Sequence, residues 1–423
     1  MMSTLRSRLA LGAAVAALLG GSAACSGTPA QDTVTIMVPW SGTEFEAFYV
    51  QVQAFERQNP SIRVEFQATR AQTEQLDQAV QAGRPPDLAV VPSIGTVDEY
   101  IHPADGHTGL ARLDIDPRRF VEPFRGLMTL DGGVYVAPIK ADVKSLIWYD
   151  PSRTAAPSTT PAALSALAAD RPDLWCLGLD SGSTSGWPGA DAIADVLLED
   201  DGTSAYEDWL SGATAWSSAQ MQDAWTTWDG LIRDSDPAAT LTRSFDDATG
   251  GMTAGTCSLA HGALTAMGFG PKLTAGRDYD FVSPPAPVPL QVSADFLGMF
   301  ATGNPGAEKL LDYLAETSTQ DAWVNYPGAD AFSAESAVGP SAYSAAIQQR
   351  IAALLQPKAG RTLCFSVADA MQPNLQAAFY QAVMSYVGGL QSLTAILDEL
   401  DKVQKDLATD ASTASVANRL CSS

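Results

Sequence analysis

The chain has 423 residues and a net charge of −23, so it is long enough for two lobes and too acidic to favour nucleic acid or an anionic membrane surface as a partner. With 46% apolar residues it can bury proper cores. The charge says nothing about a small ligand.

At the N-terminus, Arg6 and Arg8 precede an apolar run from Leu9 to Leu19, and the small residues Gly20 to Ala24 lead to Cys25. A basic start, a short apolar core and a small-residue cleavage site predict a secretory signal over 1–24. The run is well short of the ~20 residues that a spanning helix needs. Cys25 stands where bacterial lipoproteins carry their diacylglycerol, although Ser22 replaces the usual Leu, so cleavage after Ala24 without lipidation stays the alternative. Cleavage would remove two arginines and no acid, moving the charge from −23 to −25. Five cysteines are present, Cys25, Cys176, Cys257, Cys364 and Cys421. An odd number outside the cytoplasm asks for an explanation, and acylation of Cys25 leaves four that can form two disulfides, free buried thiols being the alternative.

Residues 25–32 read as a polar tether. Val34, Ile36 and Val38 then alternate with Thr35 and Met37, a strand that ends at Pro39-Trp40. Residues 45–57 have helical spacing and stop at Asn59-Pro60. Ile62, Val64 and Phe66 alternate again, 73–82 reads as a helix ending at Gly83, and Leu88–Val91 reads as a buried strand. Strand–helix–strand–helix–strand predicts a parallel sheet with its ligand beyond the strands' carboxyl ends, at Trp40 to Glu44, Arg70 and Ser93-Ile94. Asp131-Gly132-Gly133 turns into a strand over 134–139, and another covers 146–149. A helix is predicted at 161–169, and a turn-rich loop over Asp180–Thr184 leads to a helix at about 189–199. The rest reads as mostly helical except near 257–260, 279–283 and 292–301. No repeat, heptad or second apolar span is present.

Trp40-Ser41-Gly42, Pro86-Asp87 and above all the run from Gly132 to Asp150 resemble the extracellular solute-binding proteins of ABC importers, in the maltose-binding-like carbohydrate group. The runs Trp175–Asp191 and Gly255–His261 resemble a subset of sugar binders in that group. The resemblance implies an α/β, two-lobed periplasmic-binding-protein fold with three interlobe crossovers, near Ile139–Asp142, Val292–Phe296 and Pro327–Ser333, and a ligand cleft between the lobes. It implies an N-terminal lobe of 33–140 plus 294–330 and a C-terminal lobe of 141–293 plus 331–423. It also implies a Cys176–Cys257 disulfide, which leaves Cys364 with Cys421.

Sugars present apolar ring faces and a belt of hydroxyls, which suit aromatic rings and charged groups, hydrogen bonds to ions being worth roughly 1.5–3 kcal/mol each. Trp40 and Trp187 are the candidate stacking rings, with a core cap as the other reading of Trp40. Trp187, between Gly186 and Pro188, is expected on a cleft loop. Asp142 matches a ligand-contacting position at the first hinge. Glu44 stands in the first loop, where it could instead serve the following helix. Asp295 falls at the second hinge, Lys140 either binds ligand or neutralises Asp142, and Ser93 and Ser183 are hydroxyl donors at strand ends. His261 follows a predicted strand, with a structural role as the alternative. Gly262 and Ala263 stand where some sugar binders carry an aromatic.

No HExxH, no G-x-S-x-G and no metal-type Cys/His cluster is present, so no catalytic residue, metal or cofactor is expected and an enzyme is disfavoured. The expected partners are a small solute, in first place a sugar, and ABC permease subunits, with the protein a monomer held by lipid on the outer face of the cytoplasmic membrane. Alternatives are a polyamine or phosphate-ester binder, or a surface receptor with no role in transport.

Overall fold

The computed structural model describes residues 32–103, 106–171, 173–233, 235–356, 360–407 and 416–421, so the expected signal peptide, Cys25 and most of the tether lie outside the described residues. Strands β1 (Asp32–Val38), β2 (Ile62–Ala68) and β3 (Leu88–Val91) form a parallel unit in the order β3-β1-β2. The helices Gly42–Gln58 and Gln72–Gln81 connect them. Val34, Ile36 and Val38 are fully buried, as their alternation predicts, and all of β3 is buried, as its continuous apolar run requires. Asp131 and Gly132, both with positive φ, turn β4 (Thr129–Leu130) into β5 (Gly133–Val134).

Strand β6 (Val136–Val143) is followed by β7 (Ile147–Tyr149), the centre of a second sheet that β8 (Leu259–His261) and β9 (Asp280–Val282) flank antiparallel. Strand β10 (Leu290–Met299) pairs antiparallel with β6 and with β3, and parallel with β11 (Leu363–Phe365).

Several boundaries differ from the sequence reading. β6 runs on through Lys140 and Asp142 to Val143, because every residue of that stretch is buried and β10 pairs with it over its whole length. β11 was not predicted, because three residues show no period. The helix expected at about 189–199 spans Trp187–Ser211, with a break at Gly202, so Trp187 stands in its first turn and not on the preceding loop. Pro188 is tolerated because first-turn N–H groups have no intrahelical acceptor. Gly186 precedes it with φ +105°, and a Cβ there would lie 2.2 Å from the Tyr380 carbonyl oxygen, so glycine is required.

The two long strands bring the expected crossovers together. Ala141 of β6 pairs with Ala294 of β10 on one edge and exchanges backbone hydrogen bonds with Phe332 on the other. The fold is the two-lobed α/β architecture with its lobes joined along these strands. Both disulfides form, Cys176–Cys257 and Cys364–Cys421, the first across 81 residues and the second across 57.

One edge of β10 is divided. β11 occupies it at Leu290–Val292 and β3 at Phe296–Met299. Val292 pairs with both Val143 and Phe365, which places β11 opposite β6. Among the described residues no strand pairs with that edge of β10 at Ser293–Asp295, and the sheet opens there into a cleft.

Candidate functional site

The cleft encloses about 1100 Å³ including its mouth, and Ser293, Ala294 and Asp295 form part of its lining. Strand ends bring most of the predicted residues into it. Trp40 and Ser93 follow β1 and β3, Glu44 lies in the first turn of the helix after β1, and Lys140 and Asp142 project from β6. Trp187 starts its helix on the opposite wall, with Phe245 and Tyr380.

Lys140 is the centre of the floor. Its ammonium donates to Glu44 Oε1 at 2.6 Å and lies 3.2 Å from Asp142 Oδ2 and 3.3 Å from Asp295 Oδ2. Burial opposes its charge, yet Asp142, Glu44 and Asp295 together hold its pKa well above the ordinary lysine range. Burial pushes Asp142 up to about 6, against the pull of Lys140 and with the repulsion of Asp295 and Glu44. Thr265 donates to Asp142 Oδ1 at 3.1 Å, so a residue following β8 reaches the carboxylate on β6.

A second cluster lies four residues along the chain. Lys144 donates to Asp369 Oδ2 at 2.7 Å, to Asp191 Oδ1 at 3.0 Å and to Ser366 Oγ at 3.3 Å. These acids raise its pKa in spite of burial, whereas burial raises that of Asp191. The Lys144 ammonium also lies 5.8 Å from the centre of the Trp187 ring.

Trp40 is only 2% exposed, packs edge-on against Phe48 and Trp323, and donates its indole N–H to Asp295 Oδ2 at 2.8 Å. Its ring thus caps the core and its N–H orients a floor carboxylate. Trp187 is half-buried with Phe245 packed edge-on at 5.2 Å. Ser93 Oγ donates to the Asp369 carbonyl across the cleft at 2.9 Å. Nearby, a Cβ on Gly95 would lie 2.0 Å from the Met371 carbonyl oxygen, so only glycine permits this close approach. At the mouth, Arg70 lies 5.7 Å from the centre of the Phe245 ring and 3.8 Å from Glu44.

Two predicted residues lie elsewhere. Ser183 is exposed and does not line the cleft, whereas Ser181 and Thr184 do, because residues three apart in the short 3₁₀ turn share a face. His261 does not line the cleft either; its Nε2 lies 2.6 Å from Asp195 Oδ2. Sequence reasoning did not select Asp369, Lys144, Thr265, Phe245 or Tyr380 for the site. Asp369 carried a weak signal, the Ser366 cap on a short helix after an apolar triplet.

Comparison with known proteins decides the family. The profile described as "Bacterial extracellular solute-binding protein" matches residues 39–321. The chain belongs to this family. Among relatives of this solute-binding protein, the alpha-glucosides-binding periplasmic protein AglE of Rhizobium meliloti is 26% identical over 69% of this chain and 70% of its own. The osmoprotective compounds-binding protein GgtB of Synechocystis is 24% identical over 76% of this chain and 81% of its own. Among solved structures, a chitin oligosaccharide binding protein superposes with a TM-score of 0.72 at 15% identity, over 91% of this chain and 99% of that one. The maltose-bound MalE3 of T. maritima reaches 0.62 at 14% identity, over 89% and 99%. These two likenesses establish the fold alone. The family is one of solute-binding proteins.

Proposed function

We propose that the protein captures a sugar, a monosaccharide or short oligosaccharide, in the cleft, closes by hinge motion and delivers it to an ABC permease. The observation that carries this reading is the floor, where Asp142, Asp295 and Glu44 surround one buried lysine beneath the aromatic Trp187, Phe245 and Tyr380. Ordered carboxylates accept hydrogen bonds from hydroxyls, and rings suit the apolar faces of a pyranose. The similarity to a protein named for binding alpha-glucosides supports the same class. A phosphate ester fits less well, because Lys140 and Lys144 are already held by five carboxylates.

The proposed lobes are 33–140 plus 294–330 and 141–293 plus 331–423, a division supported by the adjacency of Ala141, Ala294 and Phe332. Ligand that binds the closed arrangement better than the open one supplies the free energy of closure. We also propose a monomer anchored outside the cytoplasmic membrane by lipid on Cys25. The two disulfides use the other four cysteines, which supports this anchoring, and no described helix is long and apolar enough to cross a membrane. A Cys25→Ser chain should then be released into the medium, and retention of that variant with the cells would remove the anchor.

A thermal-shift panel of α-glucosides, other sugars, polyamines and phosphate esters tests the ligand class. A sugar at about 100 times its dissociation constant stabilises by ~2.7 kcal/mol. A panel in which only polyamines or phosphate esters respond overturns the sugar reading.

A further inference from the structure

Away from the cleft, the C-terminal lobe contains a second cavity of about 680 Å³ including its mouth, with which the cleft shares no lining residue. Its walls are apolar and partly aromatic, including Trp175, Trp228, Leu164, Leu231 and Ile147. The few polar residues are concentrated in Asp195, Glu199, His261, Ser145 and Thr159.

The two carboxylates differ. Asp195 is fully engaged, since Oδ1 accepts from Ser145 Oγ at 2.7 Å and from Gln291 Nε2 at 3.1 Å while Oδ2 lies 2.6 Å from His261 Nε2. Glu199, one helical turn further on, is half-buried and has no hydrogen bond or ion pair among the described residues. The faces contributed by helix 219–232, by helix 161–170 and by Pro284 and Pro289 bring no charged group to this cavity. A carboxyl in an apolar cavity without a cation beside it is an unmet electrostatic demand.

We propose that this cavity is a second small-molecule site, and that it takes an apolar organic amine whose ammonium pairs with Glu199 and whose hydrocarbon part packs between the tryptophans. An anion would meet like charge. A sugar would leave its hydroxyls against apolar walls, and a neutral hydrocarbon would leave Glu199 unpaired. Burial, with the charges of Asp195 and Asp200, pushes Glu199 up to about 7. His261 is the remaining titratable group that lines the cavity, and it faces Asp195. Amine binding favours ionised Glu199, so affinity rises with pH through 7. The site adjoins the strands that join the lobes, through Ser145 after β6 and Gln291 in β10.

The test is isothermal titration of the full chain with phenethylammonium chloride, compared with 2-phenylethanol as a neutral probe of similar shape. Phenethylammonium is expected to bind at least tenfold more tightly than the alcohol at pH 8, and roughly tenfold more weakly at pH 5.5 than at pH 8. Glu199→Gln should lose about tenfold of the amine's affinity and keep the alcohol's. Asp142→Asn, altered only in the cleft, should bind the amine like the unaltered chain, whatever solute the cleft takes. No detectable binding at millimolar amine, equal affinity for amine and alcohol, or loss of amine binding in Asp142→Asn would overturn the site. Should Glu199→Gln fold poorly, the amine–alcohol comparison and the pH profile of the unaltered chain decide the matter.

Discussion

Lys140 and Lys144 leave the same stretch of chain four residues apart, and both are buried among acids, yet their surroundings differ. The partners of Lys140 come from β6, from β10 and from the helix after β1, and all three carboxylates line the cleft. The partners of Lys144 are Asp191, only 2% exposed, and Asp369 and Ser366 beside β11. The first cluster presents acceptors to a cavity large enough for a ligand. The second reaches the cleft through Lys144 and Asp369, but through Asp191 and Ser366, which do not line it, it also ties strand, helix and C-terminal region into one unit. The same pairing of ammonium with carboxylates therefore serves as a recognition surface where all its acids meet the cleft, and also as a structural tie where one of them, Asp191, is enclosed.

Removing each lysine is the most direct way to break this contrast. Lys144→Met strands Asp191 and Asp369 and should cost about 3–5 kcal/mol of stability, read from denaturant unfolding. Lys140→Met leaves carboxylates that cleft water can solvate and should cost about 1–2 kcal/mol. Equal losses would erase the distinction. Next in size, Asp142→Asn should weaken solute binding about 10- to 100-fold while leaving the unfolding midpoint nearly unchanged, because one hydrogen bond to a charged acceptor is lost. A variant that keeps full affinity takes Asp142 out of the contact surface.

The pH dependence sharpens the role of the same residue. The folded-state pKa of Asp142 is raised to about 6 from 3.8, so the fold favours its protonated form. Its contribution to stability is therefore fully present below the unfolded value and is lost as pH rises from about 4 to 6. Solute affinity should run the other way and increase over that window, since the ionised carboxylate is the stronger acceptor. Calorimetric titrations at pH 5 and 7 measure this, and a flat profile would exclude Asp142 as the titrating acceptor. The smallest effect belongs to Arg70→Ala, which removes the contact with Phe245 across the mouth. It should cost about 0.5–1 kcal/mol, seen as a several-fold faster solute release in stopped-flow measurements.

The first lobe was legible because β1, β2 and their helices carry clear periods bounded by Asn59-Pro60, Gly83 and Pro85-Pro86. Trp40, Glu44 and Ser93 followed from the strand-end rule, whereas Asp142 and Asp295 followed from the resemblance to a family, and all five line one cleft. The opposite wall was harder to read. Phe245 meets Asp369 and Tyr380 from a segment more than a hundred residues away, and no local pattern records such an encounter. His261 follows a predicted strand, but that position does not fix the direction of its ring, which faces Asp195 and so fits the structural alternative. Ser183 was misplaced by one turn position, a distance at which loop composition is uninformative.

The interrupted edge of β10 has a consequence for solubility. Unpaired main-chain groups along a sheet margin can recruit a foreign strand and seed aggregation. Here the uncovered length is three residues, Ser293 to Asp295, recessed between two lobes and carrying a carboxylate. That is too short a template for an incoming chain, and a charged one, so this seam in the largest sheet is itself no place to polymerise.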